Sequence, residues 1–330
     1  MIFPEPDRLA PPPRLIADIG GTHARFALAE ADGSIGSPQV LRCADHPDLV
    51  SAARAYLAGH PDLHPDIAGI AIATPVDGDA VRMTNHHWAF SIEATRQALG
   101  LDRLCVLNDF TALALALPRL ADHELRPFGG GERRPRAPLA LLGPGTGLGV
   151  SGLLPCGDGG WQPLHSEGGH VTLAAGDDRE AALIADVRRD HPHVSAERLL
   201  SGPGLVLIHD ALRRLDGLPP AAVTPAGIAG AAAERRCPVC TESAALFSGL
   251  LGSVAGNLAL TLGSLGGVYL GGGVIGGLGP AFDRAAFRAR FEAKGRFSGY
   301  LARIATVEIV AEHPALRGVA AALDADAIDA

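Results

Sequence analysis

The chain has 330 residues, 47% of them hydrophobic, and carries a formal net charge of -8 with a pI near 5.9. This length and apolar content predict two folded domains with sizeable cores and exclude a disordered protein. The acidic balance argues against nucleic acid or an anionic membrane as the main partner, although local amides and a metal ion can still bind an anionic substrate.

The first residues, 1–13, are rich in proline and acidic side chains and lack the apolar segment of a signal peptide. We therefore predict a disordered N-terminal extension over 1–13 and a cytoplasmic protein. No uninterrupted apolar stretch has the length and character of a membrane span, since the apolar segment 258–270 is short and cut by glycines. No membrane partner is expected.

A glycine turn follows the apolar run 15–19, which we predict to be the first buried strand. Glycines at 20 and 21 let backbone amides approach an anion, Thr22 adds a hydroxyl, and Asp18 adds a carboxylate suited to a hydrated Mg²⁺. The following residues, 24–30, have the pattern of a second strand that ends in a hairpin turn. The turn is therefore interpreted as a strand-turn-strand phosphate site, with an ordinary glycine hairpin as the alternative.

Two commoner phosphate-binding loops do not fit this context. A dinucleotide fingerprint or a P-loop needs its glycines to open a helix, and the P-loop also needs a lysine. The sequence contains one lysine, Lys294, which does not stand in such a loop. Any nucleotide must then be held by backbone amides, hydroxyl groups and metal.

The segments after the first hairpin alternate between strand and helix patterns, which predicts a mixed sheet with crossover connections. The predicted strands are 39–43, 67–73, 81–84 and 103–107, and the predicted helices are 47–57, 92–99 and 110–117.

Asn108 and Asp109 follow the last of these strands, where open α/β sheets usually place ligands. A carboxylate at that position can accept a hydroxyl proton. The alternative is an aspartate that only caps the helix predicted over 110–117.

A second round of the same pattern begins after the glycine- and charge-rich segment 128–136, which we interpret as a linker. Strands are predicted at 139–142 and 150–154, joined by the glycine turn 143–149. Two strand-turn-strand units can hold one polyphosphate from both ends, and the repeat indicates duplication of one fold unit.

Helices are predicted over 178–190, 195–200, 204–215 and 243–262, and a strand over 266–270. That strand runs into Gly271, Gly272 and Gly273, whose small size lets a flat ring approach the backbone, unless they form only a tight turn. Between the second turn and these glycines, Glu167, His170 and Glu197 supply donors and acceptors suited to several hydroxyl groups. A metal site at Glu167 and His170 would need a third ligand that the local spacing does not offer.

Five cysteines are scattered along the chain, which indicates reduced thiols and not a disulfide framework. Cys237 and Cys240 form half of a zinc motif, but no second pair at a suitable spacing follows. We expect these two thiols to be incidental or weakly redox-sensitive and the protein to carry no zinc.

Ten motifs in order, over about residues 15–316, resemble those of the bacterial glucokinase family, in the hexokinase and actin-like ATPase superfamily. They are residues 17–22, 83–86, 88–91, 107–112, 145–150, 167–171, 195–198, 200–204, 256–260 and 294–297. The resemblance implies an α/β protein with the duplicated actin-like ATPase (ribonuclease H-like) fold. It implies a small α/β domain of residues 14–118 plus 313–330, a larger α+β domain of residues 119–312, and an active site in the cleft.

The resemblance also implies an ATP-dependent hexose kinase that phosphorylates O6 of glucose, needs Mg²⁺ and forms a homodimer. The residues that it assigns to glucose are Asn108, Asp109 as the general base, Glu167, His170 and Glu197. Those that it assigns to ATP are Ala17, Asp18, Ile19, Gly20, Gly21, Thr22, His23, Gly145, Thr146, Gly147, Gly271, Gly272 and Gly273, with Mg²⁺ held through water by Asp18. His23 departs from the family pattern, because many relatives have asparagine there. The chain also lacks the cysteine-rich zinc motif of the related repressor, open-reading-frame and kinase family.

Three other functions are alternatives to this one. A sugar-responsive transcription factor of related fold would carry an added basic helix-turn-helix, for which the 13-residue leader is too short. An actin-like scaffold would not need Glu167, His170 and Glu197. A kinase for another hexose or an amino sugar stays open, because sequence does not fix which hydroxyl stereochemistry is read.

Overall fold

The computed structural model of the chain describes residues 12–30, 32–157 and 159–324, so residues 1–11 of the predicted extension lie outside the described residues. The described residues divide into two compact units, 12–120 with 312–324 and 121–311. The predicted domain boundaries fall within two residues of these limits, and the division into separate domains stays a prediction.

With the elements of both units numbered in chain order, the first unit contains seven strands and four α-helices among its described residues. They are β1 (Arg14–Ile19), β2 (His23–Ala29), β3 (Gln39–Arg42), α1 (Leu49–Leu57), β4 (Ile67–Ile72), β5 (Ala80–Arg82), β6 (Ala89–Ser91), α2 (Ile92–Leu99), β7 (Arg103–Asn108), α3 (Asp109–Ala116) and α12 (Pro314–Asp324).

Its main sheet has five strands in the order β3-β2-β1-β4-β7. The strands β3, β2 and β1 are antiparallel neighbours, whereas β1, β4 and β7 run parallel. Alternate residues of β1 enter different cores: Leu15 packs in a cluster with Leu49 of α1, and Ile16 packs in a cluster with Val319 of α12. The sheet is thus covered on both faces, which explains why β1 and β4 are apolar along most of their length.

The second unit contains six strands and eight α-helices among its described residues. They are β8 (Leu125–Gly129), β9 (Leu139–Pro144), β10 (Leu148–Pro155), β11 (Trp161–Pro163), α4 (Asp178–Val187), α5 (Ala196–Leu199), α6 (Gly202–Leu215), α7 (Pro225–Ala233), α8 (Pro238–Leu262), β12 (Gly267–Leu270), α9 (Gly273–Leu278), α10 (Arg284–Glu292), α11 (Ser298–Leu301) and β13 (Thr306–Ile309).

Its sheet has the order β11-β10-β9-β12-β13-β8. As in the first unit, three antiparallel strands (β11, β10, β9) are followed by two that run parallel to the third (β12, β13). The two units therefore repeat one topology, as the two glycine turns predicted. β8 is an additional edge strand that pairs antiparallel with β13.

The structure corrects two sequence predictions in this unit. The segment 128–136 is not a linker between the units, because its first two residues belong to β8 and the rest connects β8 to β9. Helix α8 begins five residues before the predicted start at 243, since Cys237 caps it and proline stands at its first position.

With 25 residues, α8 is also long and apolar enough to cross a membrane by length and composition alone. The sequence predicts no segment of that kind. Half of its most apolar window is buried inside the protein. Its side chains Phe247, Leu250 and Leu251 are completely buried, and it packs against α6, α7 and α10. These contacts are those of a core helix, which passes the same composition test.

Candidate active site

The first glycine turn closes the hairpin between β1 and β2. The amide of Gly20 donates to the carbonyl of His23 (2.9 Å), and the carbonyl of Thr22 accepts from the amide of Cys43 (3.0 Å). Within the described residues, the amides of Gly21 and Thr22 donate to no protein acceptor, and Thr22 is exposed. Two free amides and a hydroxyl group on one tight turn are suited to bind phosphate oxygens.

Of three further residues predicted for the nucleotide, two lie inside the fold and the third is half-buried at the start of β2. Ala17 and Ile19 are completely buried in β1, between β2 and β4 on either side. Their side chains pack in the core and fix the position of the turn. His23 opens β2, and its carbonyl completes the turn.

Asp18 lies next to the turn, on β1, with about 21% of its side chain exposed. It stands opposite Arg25 of β2, and Arg25 Nη1 lies 3.4 Å from Asp18 Oδ2. Burial raises the pKa of the Asp18 carboxyl above its ordinary value, and the neighbouring Arg25 guanidinium opposes that rise. A partly exposed carboxylate with one loose partner fits a hydrated Mg²⁺.

Asn108 and Asp109 lie at the same edge of this sheet as the turn. The register places Ile19 beside Ile72 and Ile72 beside Asn108, so the three residues form one row across β1, β4 and β7. Adjacent strands are about 4.8 Å apart, so the ends of β1 and β7 are separated by about 10 Å. A phosphoryl group on the turn and a hydroxyl group at Asp109 can therefore meet above the end of β4.

The capping role that was the alternative for Asp109 falls mainly to Asn108. Its Oδ1 accepts from the amides of Phe110 (2.9 Å) and Thr111 (3.2 Å), and its Nδ2 donates to the carbonyl of Thr74 (3.3 Å). Asp109 is the first residue of α3, and its Oδ1 also accepts from the Phe110 amide (2.9 Å).

The second glycine turn, Gly145 to Gly147, closes the hairpin between β9 and β10 in the same way. The amide of Gly145 donates to the carbonyl of Gly147 (2.8 Å), and Thr146 is exposed. In the described part of the chain, the amides of Thr146 and Gly147 have no protein acceptor. The turn thus repeats the donor arrangement of the first one.

Glu197 connects this turn to the predicted sugar-binding residues. Its Oε2 accepts from the amide of Leu148 (2.9 Å), the residue that follows the turn. A Cβ at Gly147 would collide with the same carboxylate, so only glycine allows this approach. The other oxygen, Oε1, lies 3.9 Å from His170 Nε2.

The structure brings Glu167, His170 and Glu197 together, as the sequence predicts. His170 Nε2 lies 3.9 Å from Glu167 Oε2 as well, and the His170 and Glu167 side chains are more than half exposed. Both separations exceed hydrogen-bond length and leave room for a shared hydroxyl group or water. The segments that carry these residues are joined by the amide of Ala196, which donates to the carbonyl of Val171 (2.8 Å).

Gly271 and Gly272 connect β12 to α9 and border a cavity of about 320 Å³, whereas Gly273 is the first residue of α9 and does not line it. Gly272 has φ +84°, and a Cβ there would overlap the carbonyl of Pro144 at the end of β9, so glycine is required. The opposite wall is formed by Arg126 and by the segment 308–311. The cavity is at the small end of the range for ligand pockets.

Two parts of this site, Gly202 and the pair Arg126 and Glu308, are not among the residues predicted from the sequence. The amide of Gly202, the first residue of α6, donates to the carbonyl of Gly145 (2.8 Å) and holds the second turn against the helix. The signal was present, because Ser201 followed by Gly-Pro-Gly is typical of a helix start. Arg126 and Glu308, which line the cavity, gave no local signal.

Lys294 is bound within the fold. Its Nζ donates to the carbonyl (3.0 Å) and the hydroxyl group (3.3 Å) of Ser253. Its half-buried position lowers its pKa, and the neighbouring Arg290 lowers it further. The only lysine of the sequence therefore supports α8.

Comparison with known proteins gives one family. The family model described as "Glucokinase" matches residues 15–326. The glucokinase of Aromatoleum aromaticum is 58% identical over 94% of this chain and 95% of its own length, and that of Chromobacterium violaceum is 54% identical over 94% and 89%. A protein called "Bifunctional protein glk" from Paraburkholderia xenovorans is 53% identical over 94% of this chain, which spans about half (49%) of that relative.

Solved structures agree with these relatives. The crystal structure of a glucokinase from an Antarctic psychrotroph superposes with a TM-score of 0.86 at 36% identity, over 94% of this chain and 98% of the other. A ROK family glucokinase from Streptomyces griseus, solved with glucose and AMPPNP, has a TM-score of 0.61 at 19% identity over 93% of this chain and 98% of the other. The first of these supports the family, and the second shows the shared fold.

Proposed function

The chain belongs to the glucokinase family, and from that premise we propose which of its residues carry out each part of the reaction. It is an ATP-dependent glucose kinase, which transfers the γ-phosphoryl group of ATP to glucose. The observation that carries the proposal is the row Ile19–Ile72–Asn108, because it sets the first glycine turn and Asp109 at one sheet edge.

Asp109 is the general base. Its position at the end of β7 lets the carboxylate accept the proton of the glucose O6 hydroxyl as that oxygen attacks the γ-phosphorus in line. Asn108, which holds the start of α3 through its cap and β4 through Thr74, keeps that carboxylate in place and offers its remaining amide hydrogen to the sugar.

The two glycine turns hold the phosphates of ATP through their free amides, with Thr22 and Thr146 as hydroxyl donors. Asp18 is the residue that fits a hydrated Mg²⁺, which when bound supplies positive charge to the triphosphate. No lysine is available for that purpose, because Lys294 is engaged by Ser253. Backbone donors therefore carry most of the phosphate binding.

Glu167, His170 and Glu197 bind the glucose hydroxyl groups. The 3.9 Å separations around His170 Nε2 suit hydroxyl groups that donate to a carboxylate and accept from the imidazole. A sugar lacking one of these hydroxyl groups leaves a polar group unpaired, which is the physical basis of discrimination between hexoses.

The cavity beside Gly271 and Gly272 takes the adenosine part of ATP. Gly272 is tied by its φ and its contact with Pro144 to the end of β9, the strand that leads into the second phosphate turn. A nucleoside in the cavity is thus close in the fold to the amides that hold its phosphates. A homodimer in the cytoplasm completes the proposal, on the strength of the family resemblance.

A hexose panel with Mg²⁺-ATP tests the substrate, and Asp109→Asn tests the base. We expect glucose to give the highest kcat/KM, with weaker use of mannose and fructose. Asp109→Asn should lower kcat at least about 10²-fold while glucose still binds in calorimetry, because the amide keeps the shape but cannot accept the proton. Better turnover of another sugar would reassign the substrate, and a variant that keeps more than about a tenth of kcat would remove Asp109 as the base.

A further inference from the structure

A cluster of metal-binding side chains lies away from the residues described so far. A ring nitrogen of His209 and the sulfur atoms of Cys237 and Cys240 all lie within 4.8 Å of one another. In the described part of the chain, this is the one group of three or more His, Cys, Asp or Glu residues close enough to share a metal ion. The sequence predicts no zinc because no second ligand pair lies near Cys237 and Cys240 along the chain. His209 is remote from them in sequence and joins them only in the fold.

The fold assembles this cluster from two helices. Cys237 caps α8, and its sulfur accepts from the amide of Cys240 (3.2 Å), so both thiols lie at the start of that helix. His209 comes from the middle of α6, which packs against α8. The C-x-x-C spacing at a helix start is also the one that zinc motifs use to bring two sulfurs together.

The neighbouring residue Asp210 orients the His209 ring in a way that suits metal binding. His209 is only 1% exposed, and its Nδ1 lies 3.2 Å from a carboxylate oxygen of Asp210. A carboxylate on one ring nitrogen orients the imidazole and leaves the other nitrogen to ligate, as in many zinc sites. Because Cys237 is only partly buried, an ion can reach the cluster from solvent.

We propose that His209, Cys237 and Cys240 form a zinc-binding site, with solvent as the fourth ligand. Two thiolates and an imidazole are a donor set that zinc prefers over magnesium or calcium. Sulfur ligands in a tetrahedral zinc site are about 3.8 Å apart, so the three atoms need to approach by at most about 1 Å.

The ion would join α6 to α8. The amide of Gly202, the first residue of α6, donates to the carbonyl of Gly145. An ion that fixes α6 against α8 would therefore also stabilise the second glycine turn. Its role is structural, and zinc binding should raise the thermal stability of the chain without being required for phosphoryl transfer.

Metal content is the direct test. The full chain is reduced with a phosphine, stripped with a chelator, and dialysed against Zn²⁺ before elemental analysis. We expect about one zinc per chain and a Tm about 5 °C higher at zinc concentrations near 100 times Kd. Cobalt in place of zinc should give the near-ultraviolet absorption band of a thiolate ligand.

Two variants and one control complete the experiment. Cys237→Ser removes a ligand but keeps a hydroxyl group that can cap α8, so the chain should fold and lose both the zinc and the cobalt band. His209→Gln should do the same, whereas Cys156→Ser, which alters a cysteine outside the cluster, should keep both. Wild-type protein with less than about 0.2 zinc per chain, zinc that persists in Cys237→Ser, or a Cys237–Cys240 disulfide that resists the phosphine would each overturn the site.

Discussion

Replacing Glu197 in two ways separates its two roles. One of its oxygens accepts from the Leu148 amide beside the second glycine turn, and the other faces His170 and the proposed sugar. Glu197→Gln keeps a carbonyl oxygen for Leu148 but removes the charged acceptor on the sugar side. Glu197→Ala removes both.

The structure sets the size of each effect. A hydrogen bond to a charged group contributes about 1.5–3 kcal/mol, so Glu197→Gln should lower kcat/KM for glucose about 10- to 150-fold. The Leu148 side of the bond is buried, and an amide left without an acceptor costs about 1–3 kcal/mol. Glu197→Ala should therefore also raise KM for ATP by about 5-fold or more, because the turn loses its support.

Steady-state kinetics with glucose and ATP varied in turn provides the assay. Glu167→Gln is the matched control, because Glu167 has no bond to the turn and should affect only the glucose parameters. Equal KM values for ATP in Glu197→Gln and Glu197→Ala would refute the reasoning, since the Leu148 bond would then have no effect on the nucleotide turn.

Three further changes have defined outcomes. Gly272→Ala should weaken ATP binding at least about 5-fold, because φ +84° with ψ 150° costs a residue other than glycine about 1–3 kcal/mol and its Cβ would meet the Pro144 carbonyl. Gly273→Ala should not weaken it, because a Cβ there meets open space, and equal KM values for ATP in the two variants would contradict this. Asp18→Asn should raise KM for Mg²⁺-ATP and leave glucose binding unchanged in calorimetry, and the reverse pattern would place Asp18 at the sugar. Glu180→Ala should lower the free energy of unfolding by about 3 kcal/mol in urea, because the buried Glu180 carboxylate accepts from Arg290 Nη2 (2.6 Å) and the variant leaves Arg290 unpaired. An unchanged urea midpoint would contradict this and show that Arg290 finds another partner.

Local sequence patterns predicted the parts of the fold that local chemistry determines. The two glycine turns were predicted because each follows an apolar run and precedes another strand. Helix 92–99 was predicted at its observed bounds, and Ser91 caps it while Gly100, in a left-handed conformation, ends it. The predicted start of α8 is wrong because the pattern of Cys237 and Cys240 was interpreted only as a thiol pair. A cysteine at the cap followed by a proline at the first position is also a signal for the start of a helix.

Contacts between distant residues could not be predicted in the same way. Leu148 and Glu197 are 49 residues apart, and nothing near either residue indicates the bond between them. The same holds for His209 and the two cysteines, which meet only because α6 packs on α8. The strand Thr306–Ile309 has four residues, which is too short for periodicity to identify.

Helix α12 gives the first unit an order of assembly during synthesis. Its residues Leu316 and Val319 pack in one core with Leu107 and Ala112, beneath the start of α3 that presents Asp109. These helix residues leave the ribosome only after the whole second unit, residues 121–311, has been made. The second unit is continuous in sequence and can fold as it emerges, whereas the sheet edge that carries Asp109 waits for α12. A nascent chain halted before residue 312 should therefore hold a folded second unit while the packing beneath Asp109 is still incomplete.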